Sequence, residues 1–370
     1  MRKFIAVAVL LVTGCFDFGG VQFLEKDPDK LSDWQIFIRK NNVLHLNTGG
    51  QPYDLNTPLF TDYALKWRSI WLPDGKVLSY LPEGIFELPV GTILSKTFFY
   101  RKNGDTLVKE IRPWPLSTKL DLENIQLIET RLLVRRETGW SSLPYVWNSD
   151  QTEAYLEIAG DSLSLDLRDS QDTVTFTYLI PNTNECQSCH TSDHGAHEIE
   201  PIGIKAMHLD KSNQMDDKEG NQLIRWQQSG LISRELPAKR PQANADWKNE
   251  EETIARRARA YLDINCAHCH QPGGSGDTSQ LFLGSQVTDM RQLGLCKPPI
   301  AAGQGTGGRP YSIVPGRPHE SILLYRMETR DPGAMMPELG RSLQHKEGIA
   351  LIARWIDEMN GNCEHLPQGR

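Results

Sequence analysis

Two copies of Cys-x-x-Cys-His constrain this chain more than any other feature: Cys186-Gln-Ser-Cys189-His190 and Cys266-Ala-His-Cys269-His270. A two-residue spacer puts both thiols on one side of a helical turn, with the next imidazole beside them. In c-type attachment the thiols add to the vinyl groups of a haem, and the histidine becomes the proximal ligand of the iron. From the chain's own Cys and His frequencies, about 0.004 such matches are expected by chance, so two copies have a chemical reason. Structural zinc is the first rival. About 76 residues separate Cys189 from Cys266, against roughly 15–20 between the pairs of a zinc ribbon, and a ribbon does not require the adjoining histidines. Two local disulfides would leave the histidines unexplained. The reading is two covalent haem c groups.

The N-terminus speaks to compartment. Arg2 and Lys3 precede an apolar run, Phe4 to Val12, that is too short to span a bilayer. Leu11-Val12-Thr13-Gly14-Cys15 follows and resembles a bacterial lipobox. Cleavage before Cys15 would leave a lipid on that thiol; an ordinary signal peptide is the alternative. The expectation is a lipoprotein of the cell envelope, facing the periplasm or the surface, with Asp17 leaning towards the outer membrane. The remaining cysteines, Cys296 and Cys363, are expected to pair in that oxidising location. Net charge is −7, and −9 once Arg2 and Lys3 leave with the leader. That balance argues against nucleic acid and is compatible with a redox partner protein.

The texture of the chain changes near residue 181. Before it, Lys66 to Leu72, Gly91 to Tyr100, Asn124 to Arg136 and Thr173 to Leu179 read as strands, separated by turn signals such as Pro73-Asp74-Gly75. After it, a helix is expected from an Asp246 cap to about Asp263, with Ile254, Ala258, Tyr261 and Leu262 on one face. A second would carry Ile349, Ile352, Ile356 and Met359. The expected fold is an α+β multidomain chain. Leader 1–14 and tether 15–30 precede a β-sandwich-like domain, 31–180. Mainly α-helical haem regions follow, the first over 181–245 and the second over 246–363.

Helix, haem motif, Gly-rich loop, Met335-Met336-Pro337 and closing helix stand in the order of a class I cytochrome c domain, which residues 246 to 363 resemble. The resemblance implies Met336 as the sixth ligand of the second iron, with Met335 its nearest rival. A soft thioether favours the ferrous state. For the first iron the segment after His190 offers His194, His197, Met207, His208 and Met215. His194 is too close to His190 to reach the opposite face. Met207 is preferred by its similar distance to a following helix, with His197 and His208 still open.

Over most of its length the chain also resembles a family of bacterial dihaem c-type cytochromes with an N-terminal β-rich region. The likeness rests on Pro89-Val90-Gly91-Thr92, Ile128-Glu129-Thr130-Arg131-Leu132-Leu133, Tyr145-Val146-Trp147-Asn148, Pro201-Ile202-Gly203 and Arg257 to Asn265. It implies two haems and names no substrate. Two functions stay in view: electron transfer between closed irons, or a peroxidase- or oxidase-type enzyme with one open iron. The β-rich region shows no serine–histidine or carboxylate constellation. Its tryptophans read more simply as core.

Overall fold

The computed structural model describes residues 20–191, 198–216, 218–232, 236–300 and 302–363. The leader, Cys15, His194 and His197 lie outside them.

Alternation builds the scaffold. In Leu65–Trp71 the side chains of Lys66, Arg68 and Ile70 face one way, and Leu65, Trp67 and Trp71 the other. This strand pairs antiparallel with Ile93–Asn103, which pairs on its other side with Ile125–Arg136, and that strand with Gly139–Trp147. Gln51–Tyr53, Thr106–Val108, Ala154–Leu156, Asp161–Asp169 and Asp172–Ile180 complete a nine-stranded sheet. Its order makes a curled half-barrel. Behind the centre lies a three-stranded sheet, Phe37–Lys40, Val43–Leu46 and Lys119–Asp121. Phe37 stacks on Trp67 with ring centroids 5.1 Å apart. Residues from Val21 onward also pack here: Val21 and Leu24 join Trp34, Trp71 and Tyr145 in one apolar cluster.

The expected fold class is therefore corrected. The chain is mostly β, with 30% strand and 20% helix, and its haem-motif regions are not mainly α-helical. Residues 181–245 hold helices Thr183–His190, Ala206–Leu209 and Gln222–Gln228, and a hairpin of Ser212–Met215 with Lys218–Asn221. Beyond residue 245, the α-helices are Ile254–Leu262, Ile322–Glu328 and Lys346–Asp357. Proline and glycine between residues 272 and 318 keep the chain in turns, because neither residue favours a helix interior. The Asp246 cap also moves. Asp246 closes a turn by accepting from the amide of Lys248, and the helix cap lies seven residues later at Thr253.

Helices Ile254–Leu262 and Lys346–Asp357 share one core with Leu283, Leu293 and Ile313. Buried Gly348 lets them approach at Tyr261. Cys296 and Cys363 form a disulfide with Cα atoms 5.2 Å apart.

The C-terminal part is latched to the sheet by polar contacts. Asp62 accepts from the amides of Ser342 and Leu343 at 2.8 and 2.7 Å. Tyr63 donates to Glu347 at 2.8 Å, and Lys109 pairs with both Asp169 and Glu347. This docking closes a cavity over the concave face of the sheet.

Candidate functional site

The first motif is set at the end of a short, well-capped helix. Asn182 accepts from the amide of Glu185, and the Glu185 carboxylate accepts from the amide of Asn182, both at 2.9 Å. The helix then delivers Cys186, Cys189 and His190 in its last turns. His190 Nδ1 lies 2.7 Å from the carbonyl oxygen of Glu200, and the Glu200 amide returns a bond to the His190 carbonyl. A metal-binding histidine is typically held this way: Nδ1–H donates to a carbonyl, which orients Nε2 for the metal. Burial, with nearby Lys96, pushes the imidazole down to about 3, so the ring is neutral, the form that binds a metal.

The second motif leaves helix Ile254–Leu262 through a wide turn, Asp263–Ala267. The amide of His270 donates to the Cys266 carbonyl at 2.9 Å. His270 Nδ1 is 3.4 Å from the Ser279 hydroxyl. Gly276 must be glycine: a Cβ there would stand 2.9 Å from His270 Nδ1. Burial lowers the His270 pKa as well.

Each motif lines its own cavity. In the first, Cys186, Cys189 and His190 face the half-barrel, where Leu94, Phe98 and Leu133 give an apolar wall. The same wall carries an unusual row. Arg68 is directly opposite Lys96, and Lys96 directly opposite Arg131, on three adjacent strands. Like charges placed so are destabilising. Arg68 pairs with Asp54 at 3.1 Å and Arg131 with fully buried Glu129 at 2.6 Å. Lys96 has no ion-pair partner among the described residues; its ammonium lies 5.3 Å from the Phe98 ring. Burial, reinforced by Arg131 and Arg68, lowers it to about 7. Lys66 is likewise pushed down by burial. An apolar slot edged by cations in excess of their carboxylates suits a flat, mostly apolar ring bearing carboxylates, and haem has that chemistry. The second cavity holds Cys266, Cys269 and His270 against Leu281, Leu323 and Met327, with Met336 on its lining. Its donors, two thiols, an imidazole and a thioether, also fit haem.

Met336 lines both cavities, while Met335 is buried. Met207 and His208 line a cleft that Cys189 and His190 of the first motif also line, together with Glu200, Lys205 and Asp263. His208 Nε2 is engaged by Asp263 at 2.9 Å, which accounts for its burial. His197 lies outside the described residues. Met215 belongs to the small hairpin.

Sequence reasoning missed the cation row, although Lys66 and Arg68 at alternate positions beside Ile70 signal a charged face on a buried strand. It also passed over His268, which sits in the spacer of the second motif. An imidazole nitrogen of His268 and the sulfurs of Cys189 and Cys269 all lie within 4.8 Å of one another. Among the described residues, no helix is long and apolar enough to cross a membrane. Comparison of the chain with known protein families, curated proteins and solved structures finds no match in any of the three.

Proposed function

We propose that this chain is a dihaem c-type cytochrome that relays electrons in the bacterial cell envelope. One observation carries the reading: each Cys-x-x-Cys-His segment turns both thiols and its imidazole to a cavity of suitable chemistry. Cys186 and Cys189 would hold one haem and Cys266 and Cys269 the other, with His190 and His270 as proximal ligands. Haem supplies a one-electron iron couple when bound. The protein's part is to orient, to keep water out and to balance charge. Glu200 fixes the ring of His190, while Leu94, Phe98 and Leu133 make the first slot dry. Lys96 and its neighbours offer positive charge to carboxylates. Met336 is the side chain best suited to close the second iron. Lipid at Cys15 would keep the body at the membrane, where it would meet redox partner proteins.

A second reading has a specific observation in its favour. Lys96 and Arg131 face the first motif across its cavity. An iron left open beside Lys96 and Arg131 would belong to a peroxidase- or oxidase-type enzyme.

Intact mass after acid denaturation is the primary test. The expected result exceeds the apoprotein by two haems; a gain of one or none refutes the proposal. Electron paramagnetic resonance then separates the two readings. Low-spin signals from both irons favour the carrier, and a stoichiometric high-spin iron that binds cyanide rapidly and turns over peroxide favours the enzyme.

A further inference from the structure

The two motifs, far apart in sequence, meet in space. The sulfurs of Cys189 and Cys269 lie within 4.8 Å of one another. Cys269 Sγ is also 3.8 Å from the carbonyl oxygen of Ser188, inside the first motif. Cys189, Asn265, Cys266, His268, Met336 and Pro337 are among the residues that line both cavities, so both motifs and the Met336-Pro337 segment contribute to the wall between them. Nothing in either function requires this. Two independent attachment sites could stand on opposite sides of the molecule.

We propose that the Cys189–Cys269 contact is an electron bridge that makes the two sites one two-electron unit. This rests on the dihaem reading above. At each site the S–H adds across a vinyl double bond: sulfur takes one carbon, the proton goes to the other, and no oxidant is consumed. With haems attached, the path from one ring to the other would run through the former vinyl carbon and thioether sulfur on each side and the short gap between the Cys189 and Cys269 sulfurs. Electrons would cross so short a gap far faster than a partner can bind and leave. A bound pair would take up two electrons, one at a time, from a one-electron donor protein. Whichever site met the donor, the electron would reach the other through this bridge. Reduction of one bound iron would also change the charge felt by the other, which would spread the two midpoints.

The test uses the full-length protein with its haem content established by intact mass. In the oxidised protein, the expected resonance spectrum is broadened by interaction between the two irons. Circular dichroism of the main haem band should show paired lobes of opposite sign. A Cys186→Ala/Cys189→Ala variant, which keeps only the second attachment, should lose both signatures, and its remaining midpoint should move. Two haems by mass with unbroadened, additive signals and a single-signed band would overturn the bridge and leave the dihaem reading standing. A protein without both haems, or one in which peptide mapping finds a Cys189–Cys269 disulfide, overturns both.

Discussion

Gly348 tests the packing that closes the first cavity. It is buried in helix Lys346–Asp357 where that helix crosses Ile254–Leu262. A Cβ at this position would stand 2.5 Å from Cζ and 2.7 Å from Cε2 of Tyr261, and closer still to the hydroxyl oxygen. Ordinary contact begins near 3.4 Å, so the ring must retreat. It has little room, because Tyr261 is 4% exposed and edged by Trp247 at 5.8 Å. Retreat also strains its 2.9 Å hydrogen bond to His345 Nδ1. Overpacking costs about 1–3 kcal/mol, and a lost hydrogen bond about 1 kcal/mol. Replacing a helical glycine with alanine returns about 1 kcal/mol. Gly348→Ala should therefore destabilise by about 1–3 kcal/mol in urea unfolding followed by far-ultraviolet circular dichroism. Tyr261→Phe removes the nearest atom, so the double variant should lose less than the two single losses combined. If Gly348→Ala instead raised stability by about 1 kcal/mol, as at an open helical site, the close approach of the helices would be refuted.

Three further outcomes follow from buried charge and the disulfide. In haem-free protein, Arg131→Met should cost about 3–5 kcal/mol because Glu129 is left buried without its partner. Lys96→Met, which strands no carboxylate, should cost far less; equal losses in urea unfolding would refute the asymmetry. Asp54 is pushed up by burial, but Lys211 and Arg68 outweigh this and hold its carboxyl below the ordinary 3.8. The folded chain thus binds fewer protons than the unfolded chain in the acid range. The stabilisation is complete above about pH 4 and fades as pH falls. Asp54→Asn should lose stability at neutral pH, with the gap to wild type narrowing below that point. A gap that widened in acid would reverse the sign. Reducing Cys296–Cys363, which spans 67 positions, should cost about 4 kcal/mol by loop-closure entropy. An unchanged urea midpoint in a Cys296→Ser/Cys363→Ser variant would contradict that.

The sequence carried some of this architecture and concealed the rest for identifiable reasons. Strands such as Leu65–Trp71 and Ile125–Arg136 were legible because residues at successive positions meet different environments. Asp161–Asp169 carries the same signal, because Ser162, Ser164, Asp166 and Arg168 alternate with Leu163, Leu165 and Leu167. Helical content after residue 181 was overread. Local periodicity locates the helices near Tyr261 and Ile352, but it says nothing of the long turns between them. The motif residues announced themselves by spacing. The wall that faces them did not, because Arg68, Lys96 and Arg131 come from three separate strands and only pairing register puts them in a row. The meeting of Cys189 with Cys269 is a tertiary fact that neither motif encodes alone.

Asp62 and its bonds to Ser342 and Leu343 have a consequence for biogenesis. The first motif leaves the ribosome well before Met336, Arg341 and His345, and these late residues complete the lining of its cavity. During synthesis Cys186 and Cys189 therefore face an open trough on the half-barrel, accessible to any factor that must act on their thiols. Arrival of the last segment, caught by Asp62, closes the trough. In haem-free protein, a chain ending before Met336 should leave Cys186 open to alkylation, whereas the full chain, in which that residue is 6% exposed, should protect it. Equal labelling of the two would show that the trough closes without its final wall.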